Sequence, residues 1–251
     1  MKIAIAPGFG KLPVEPSNPR RYKLLFLLAT VFALMMAAPA GFALESLQAA
    51  SGIKEALATG TVKAVNLVGK PGGYFNDAAI KILLPERMQP VAKALRIVGL
   101  GPQIDKFVLS MNQAAEAAAP KAMPIFEDAI RSMTLTDAQR IVTRGGTSAT
   151  DYFKAKTSSE LTDAFTPIVR QSMEQYSVTK QYDALMGKYQ SGSPLGKLLG
   201  GGNAESLDIN HYVVHKALDG LFFMVGQEEH QIRTNPAAQV TPLLRDVFGG
   251  K

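Results

Sequence analysis

Residues 157–176, Thr-Ser-Ser-Glu-Leu-Thr-Asp-Ala-Phe-Thr-Pro-Ile-Val-Arg-Gln-Ser-Met-Glu-Gln-Tyr, set the fold class of this 251-residue chain. Leu161, Phe165, Ile168, Val169, Ser172, Met173 and Tyr176 recur at the spacing that gathers side chains on one face of a helix. Thr157 followed by Glu160 is a capping-box pattern and predicts the helix start at that point. Pro167 falls inside the stripe and predicts a kink.

The same periodicity continues on both sides. Met88, Val91, Ala92, Leu95 and Val98 form a second stripe, stopped by Gly99. Ile104, Phe107, Val108, Met111, Ala115 and Ala118 form a third, and Pro120 opens the next helix. That helix carries Ala122, Ile125, Phe126, Ala129, Ile130 and Met133. Arg144-Gly-Gly-Thr147 reads as a helix stop, with Thr147 or Ser148 capping the next start. Asp208 caps a long helix running to about Arg233, ended by Asn235-Pro236, and Thr241 to Phe248 forms a last short one.

Non-helical signals are few. Gly69-Lys-Pro-Gly-Gly73 is a turn, and Ile80 to Leu84 before Pro85 predicts one short strand. The fold expected is therefore all-α, an irregular multi-helix bundle with at most one short β-hairpin near residues 74–84. Residues 44–190 form its main bundle, residues 191–207 a flexible Gly/Ser-rich connection, and residues 208–251 a C-terminal helical pair packing on the bundle.

The first 43 residues stand outside this plan. Arg20, Arg21 and Lys23 precede an apolar run from Leu24 to Ala38, and Gly41-Phe-Ala43 offers a small–x–small cleavage pattern. This predicts a signal peptide cut after Ala43, with Ala40 as the alternative, and a periplasmic or secreted bacterial product. The run is shorter than the ~20 residues that span a bilayer, so no transmembrane span remains after cleavage. Arg20-Arg21 hints at the twin-arginine route, although Lys23 stands where that signal has an aromatic residue.

Charge follows the same division. The chain has 27 basic and 21 acidic residues, a net of +6. The first 43 residues hold five basic residues against one acidic, which leaves 22 against 20 from Leu44 onward. That near-balance argues against a nucleic-acid partner. The absence of cysteine excludes disulfides, thiol nucleophiles, thiolate metal sites and a lipid-modified N-terminus.

Candidate chemistry begins with His211-Tyr-Val-Val-His215. Two histidines four apart share one helix face, as in the zinc motif HExxH, but Tyr212 replaces the glutamate base. A zinc site needs a third protein ligand. Glu228, Glu229 and His230 lie on the same helix, and His215 to Glu229 spans about 21 Å, too far for one ion. The reading favoured is a boundary pair, with His215 able to meet Asp219 one turn on. Ser51-x-x-Lys54, Ser110-x-Asn112 and Lys156-Thr-Ser158 echo the three motifs of penicillin-binding enzymes. The third lacks its glycine and the strand it needs.

Asn112 and Glu116 lie one turn apart on the flank of an alanine-rich stripe. A buried carboxylate needs a partner, and Arg233 or Arg96 is expected to supply it. Either this is a structural salt bridge or a capping network, or Asn112, Glu116, Arg233 and Asp219 orient a ligand in a groove.

Several ordered segments carry a resemblance: Ser110-Met-Asn-Gln-Ala-Ala-Glu116, Ala149-Thr-Asp-Tyr-Phe153, Tyr212 through Ala217-Leu-Asp-Gly-Leu-Phe222, Ile232-Arg-Thr-Asn-Pro236, and Leu244 to Gly249. Together they resemble the bacterial family catalogued as domain of unknown function 4197. The resemblance implies an exported, mostly helical protein without an established activity. The two histidines are not part of the family pattern.

With no credible catalytic set, and with 10 Met and 12 Phe to build adaptable apolar surface, the leading expectation is a non-enzymatic binding module. Its partner would be an apolar small molecule or an envelope protein, and no cofactor is implied. The competing expectation is a metal-dependent or carboxylate-based hydrolase centred on His211 and His215, or on Glu116. A purely structural envelope role is the third.

Overall fold

The computed structural model describes residues 40–175 and 208–239, with positions 242 and 245. Compact units divide the chain between Glu45 and Ser46, and the described part of the first is only the beginning of a helix. The α-helices described are α1 (Ala40–Gly69), which begins in the first unit, and then α2 (Gln89–Ile97), α3 (Gly101–Ala118), α4 (Ala122–Ser132), α5 (Leu135–Arg144), α6 (Ser148–Gln175) and α7 (Ile209–Thr234) in the second.

Helix α6 is the centre of this unit and packs on α3, α4, α5 and α7. The sequence explains how one helix serves so many neighbours. Ala149, Phe153, Thr157, Leu161, Phe165, Val169 and Met173 are all buried and spaced four apart. Four residues advance a helix by about 400°, so the buried stripe winds about 40° per step around the axis. Successive turns thus face different partners. Each fully buried aliphatic or aromatic side chain contributes about 1.5–3 kcal/mol. Phe126 of α4 adds edge-on ring contacts to Phe153 of α6, 5.1 Å between centroids, and to Phe222 of α7, 6.2 Å.

The start of α6 differs from the expectation. Thr157 is not a cap, because the helix begins nine residues earlier at Ser148. In the helix interior the Thr157 hydroxyl donates to the Phe153 carbonyl at 2.7 Å, and Ser158 donates to Lys154 at 2.6 Å. The stop before it is as expected: Gly145 and Gly146 take φ of 64° and 57°. A reciprocal capping box does occur, at Thr134 and Asp137 opening α5.

Among the described residues there is no strand. Ile80 to Leu84 is chain without a ladder partner, for a reason found on α3 below. Val98, expected on the buried stripe of α2, is 56% exposed. Gly99 turns left-handed at φ 84°, so Leu100 rather than Val98 swings back onto Val91, Ala92, Leu95 and Ile104. Asp208 caps α7 by accepting from the Asn210 and His211 amides, and the helix ends before Asn235. Tyr176 and the connection over residues 191–207 lie outside the described residues, as does most of the expected closing helix over 241–248.

Candidate functional site

Two buried carboxylates organise the polar interior. The first, Glu116 on α3, is 6% exposed and meets the turn that follows α1. One oxygen, Oε2, accepts the Gly72 amide at 3.0 Å; Oε1 accepts those of Tyr74 and Phe75 at 3.2 and 3.3 Å. The turn can offer these donors because Gly72 adopts φ 78°. Gly73 is equally constrained, since a Cβ there would sit 2.5 Å from the Leu67 and Val68 carbonyl oxygens.

One turn earlier, Asn112 is fully buried and completes the clamp. Its Oδ1 accepts the Ile82 amide at 2.8 Å, and its Nδ2 donates to the Ile82 and Val108 carbonyls at 2.8 Å each. A side-chain amide thus pairs with Ile82 as a neighbouring strand would, which satisfies its backbone groups without a sheet. The turn also sends Tyr74 into the core, where its hydroxyl donates to the Ala217 carbonyl of α7 at 2.6 Å. Burial, and secondarily the charge of Glu116, push the Tyr74 phenol far above its ordinary pKa. Gly220 makes room, because a Cβ there would lie 2.6 Å from the ring.

The second carboxylate, Glu229 on α7, is 7% exposed. It accepts the Ala149 and Thr150 amides at 3.0 and 2.8 Å and the Thr150 hydroxyl at 2.8 Å. A side chain from α7 therefore satisfies the otherwise orphaned donors at the start of α6. Arg233, one turn on, gives Glu229 two bonds at 2.8 and 3.0 Å and reaches the Ile141 carbonyl and Ser148 hydroxyl at 3.2 Å.

These contacts correct the expected pairing. Glu116 is held by backbone amides, not by arginine. Arg233 pairs with Glu229, and Arg96 with Asp105 on the surface. The hydrogen bond to Arg96 holds the Asp105 carboxyl below its usual range. Asn112 and Glu116 share one clamp, Arg233 belongs to the other, and Asp219 is exposed and bridged to Lys216 at 3.2 Å rather than to His215. His211 and His215 are exposed, with ring centroids 4.5 Å apart. Among the described residues no group of three or more His, Asp or Glu could hold a metal ion. The Ser/Lys echoes also have separate partners: the Lys54 ammonium approaches the Arg131 carbonyl, and Ser110 donates to Lys106.

Sequence reading missed Tyr74 and Gly220 as a matched pair, because nothing local links residues so far apart. It noticed Glu229 only as a distant metal donor. The usable signal was its place on the apolar face of α7, with Arg233 at i+4.

The clamped segment forms one wall of an open groove of about 850 Å³, with α7 as the other. Leu83, Tyr212, Phe223 and Asp219 line it. Leu83 and Phe223 are 55% and 44% exposed. The Tyr212 hydroxyl joins the two walls by donating to the Leu83 carbonyl at 2.9 Å, and partial burial raises the Tyr212 phenol. The space between α1 and α7 beside Glu229 is only about 20 Å³, room for about one water.

The segments that carried the family resemblance are the ones that build the clamps: Ser110–Glu116 and Tyr212–Phe222 around Tyr74, Ala149–Phe153 and Ile232–Pro236 around Glu229. No curated protein and no solved structure matches the chain. The family model described as protein of unknown function (DUF4197) matches residues 43–249, and the chain belongs to that family.

Proposed function

We propose that this is a binding protein without catalytic activity, and that its site is the groove between residues 79–89 and α7. The observation that carries this reading is the groove's edge. Ile82 spends its backbone groups on Asn112, but the Leu83 amide and the Lys81 carbonyl have no hydrogen-bond partner among the described residues. An extended chain laid alongside would pair with them, as in β-strand addition. Leu83 and Phe223 offer it apolar contacts, and Arg87 lacks a carboxylate partner among the described residues, so an acidic residue at that end is favoured. The occupant is thus an extended, partly apolar segment of a partner protein.

The hydrolase reading draws less support. Both oxygens of Glu116 already accept backbone amides, and its position is 6% exposed. The proposed location is the periplasm or exterior, reached through the signal-like residues 1–43. Among the described residues no helix is long and apolar enough to cross a membrane.

Selection from a displayed library of random twelve-residue peptides tests the groove. We expect enriched sequences that bind the wild type and fail on Leu83→Glu and on Phe223→Glu. Methylating the backbone nitrogen that pairs with Lys81 should abolish binding. Equal enrichment on wild type and both variants would sink the proposal. An acyl-sized adduct in native mass spectrometry, displaced by no peptide, would replace the protein partner with a lipid-like ligand.

A further inference from the structure

The tip between α2 and α3 differs from the rest of the described surface. Ile97 is 86% exposed and Val98 56%, side by side on the chain. From Ile97 to Gln103 no residue is charged. The tip has no concavity for a small ligand to fill: nothing lies within 4 Å of a Cβ placed at Gly99. It joins a pair of helices with their own small core, formed by Val91, Ala92, Leu95 and Ile104.

The amides of Val98, Gly99 and Leu100 are satisfied internally. The Leu100 amide donates to the Leu95 carbonyl at 2.9 Å and the Gly99 amide to Arg96 at 3.1 Å, the double closure of a Schellman turn. The Val98 amide donates to Ala94, and the Leu100 carbonyl accepts from Ile104, both at 3.3 Å. These closed amides lower the cost of bringing the turn to a bilayer interface. The Ile97, Val98 and Gly99 carbonyls, which accept no hydrogen bond among the described residues, suit the hydrated headgroup boundary rather than the acyl core. The same closure turns Leu100 inward and leaves Ile97 and Val98 outside.

Charge selects the medium. Residues 89–106 contain Lys93, Arg96 and Lys106 against Asp105 alone, a net of +2, as much as the whole chain from Leu44 onward. Lys93 lies one turn below Ile97 on the same face, about 6 Å along the axis, and Lys106 about 8 Å past the start of α3. Apolar side chains of an interfacial anchor sit about 5–10 Å into the headgroup boundary, which places these cations among lipid phosphates.

We infer that the α2–α3 tip is a membrane-contact site, with Ile97 and Val98 entering the interface of an anionic bilayer and Lys93 and Lys106 meeting its phosphates. It is a peripheral contact of low affinity, independent of the groove.

Because the chain has no cysteine, Val98→Cys gives the full-length protein one thiol for an environment-sensitive nitrobenzoxadiazole label. Vesicles of equal parts phosphatidylglycerol and phosphatidylcholine should shift its emission to the blue and raise its intensity, and spin-labelled acyl chains should quench it. Pure phosphatidylcholine or high salt should weaken the response about tenfold. Adding Ile97→Asp should remove it, while a label at Lys156→Cys stays water-like throughout. A Val98 label that remains water-like on vesicle-bound protein would overturn the inference. So would a shift that appears in concentrated protein without vesicles, since that marks contact between copies.

Discussion

Glu116 and Glu229 are both carboxylates buried to within 7% exposure, yet they are stabilised differently. Glu229 has a cation at 2.8 Å, a hydroxyl and two amides, and it joins regular elements, α7 to the beginning of α6. Glu116 has no cation within 4.0 Å among the described residues and relies on three backbone amides of an irregular turn. The helix-to-helix joint carries a closed ion pair. The joint that shapes the groove carries only dipoles, which fix the path of the chain without fixing a second side chain.

The largest effect should come from removing the dipole-held member. Glu116→Ala strands buried amides at Tyr74 and its neighbours, and we expect a loss of about 4 kcal/mol in urea unfolding. Arg233→Met should cost about 3 kcal/mol, because it leaves Glu229 buried with amides but no cation. If Arg233→Met proves the milder by far, amides alone suffice at both joints and the contrast between them disappears.

Tyr74→Phe sharpens the contrast through pH. It should cost about 1–2 kcal/mol near neutrality by leaving the Ala217 carbonyl unpaired. Since the folded phenol titrates above its ordinary pKa of about 10, the neutral form's contribution is complete below that pH and is lost as pH rises beyond it. Wild type should therefore lose stability above pH ~10 more steeply than Tyr74→Phe, as melting temperatures would show.

The smallest effect should be a gain. Gly60 lies within α1, and a Cβ there would meet Glu228 and Ile232 at 3.5 Å, ordinary contact. Gly60→Ala should stabilise by about 0.5–1 kcal/mol, whereas Gly220→Ala should destabilise by driving a methyl into the Tyr74 ring. Two helical glycines would then differ in sign because one faces open packing and the other a buried ring.

Most of the helical plan could be read from local pattern, because amphipathic stripes and Gly or Pro stops act over a few residues. The Asp208 cap and the Gly145-Gly146 stop followed from such rules. The Thr157 capping pattern misled because the same hydroxyl bonds back to Phe153 once the helix is already running. The strand expected at Ile80 to Leu84 does not form: Ile80 closes a turn on Asp77, and Ile82 pairs with a side chain 30 residues away instead of a neighbouring strand. Asn112 and Glu116 could be recognised as a polar spot. Which groups they meet could not, since a capping network was one of the options but nothing local says which distant backbone amides a carboxylate will reach. Val98 failed because the exit direction of a left-handed turn decides which apolar residue returns to the core.

The most direct test is residue-resolved hydrogen exchange across the clamped segment of the wild-type protein. Ile82 donates its amide to Asn112, while the neighbouring Leu83 amide has no partner among the described residues. Slow exchange at Gly72, Tyr74, Phe75 and Ile82 beside fast exchange at Leu83 is the expected pattern. Equal rates at Ile82 and Leu83, or fast exchange at the three amides facing Glu116, would contradict the clamp and the groove it shapes.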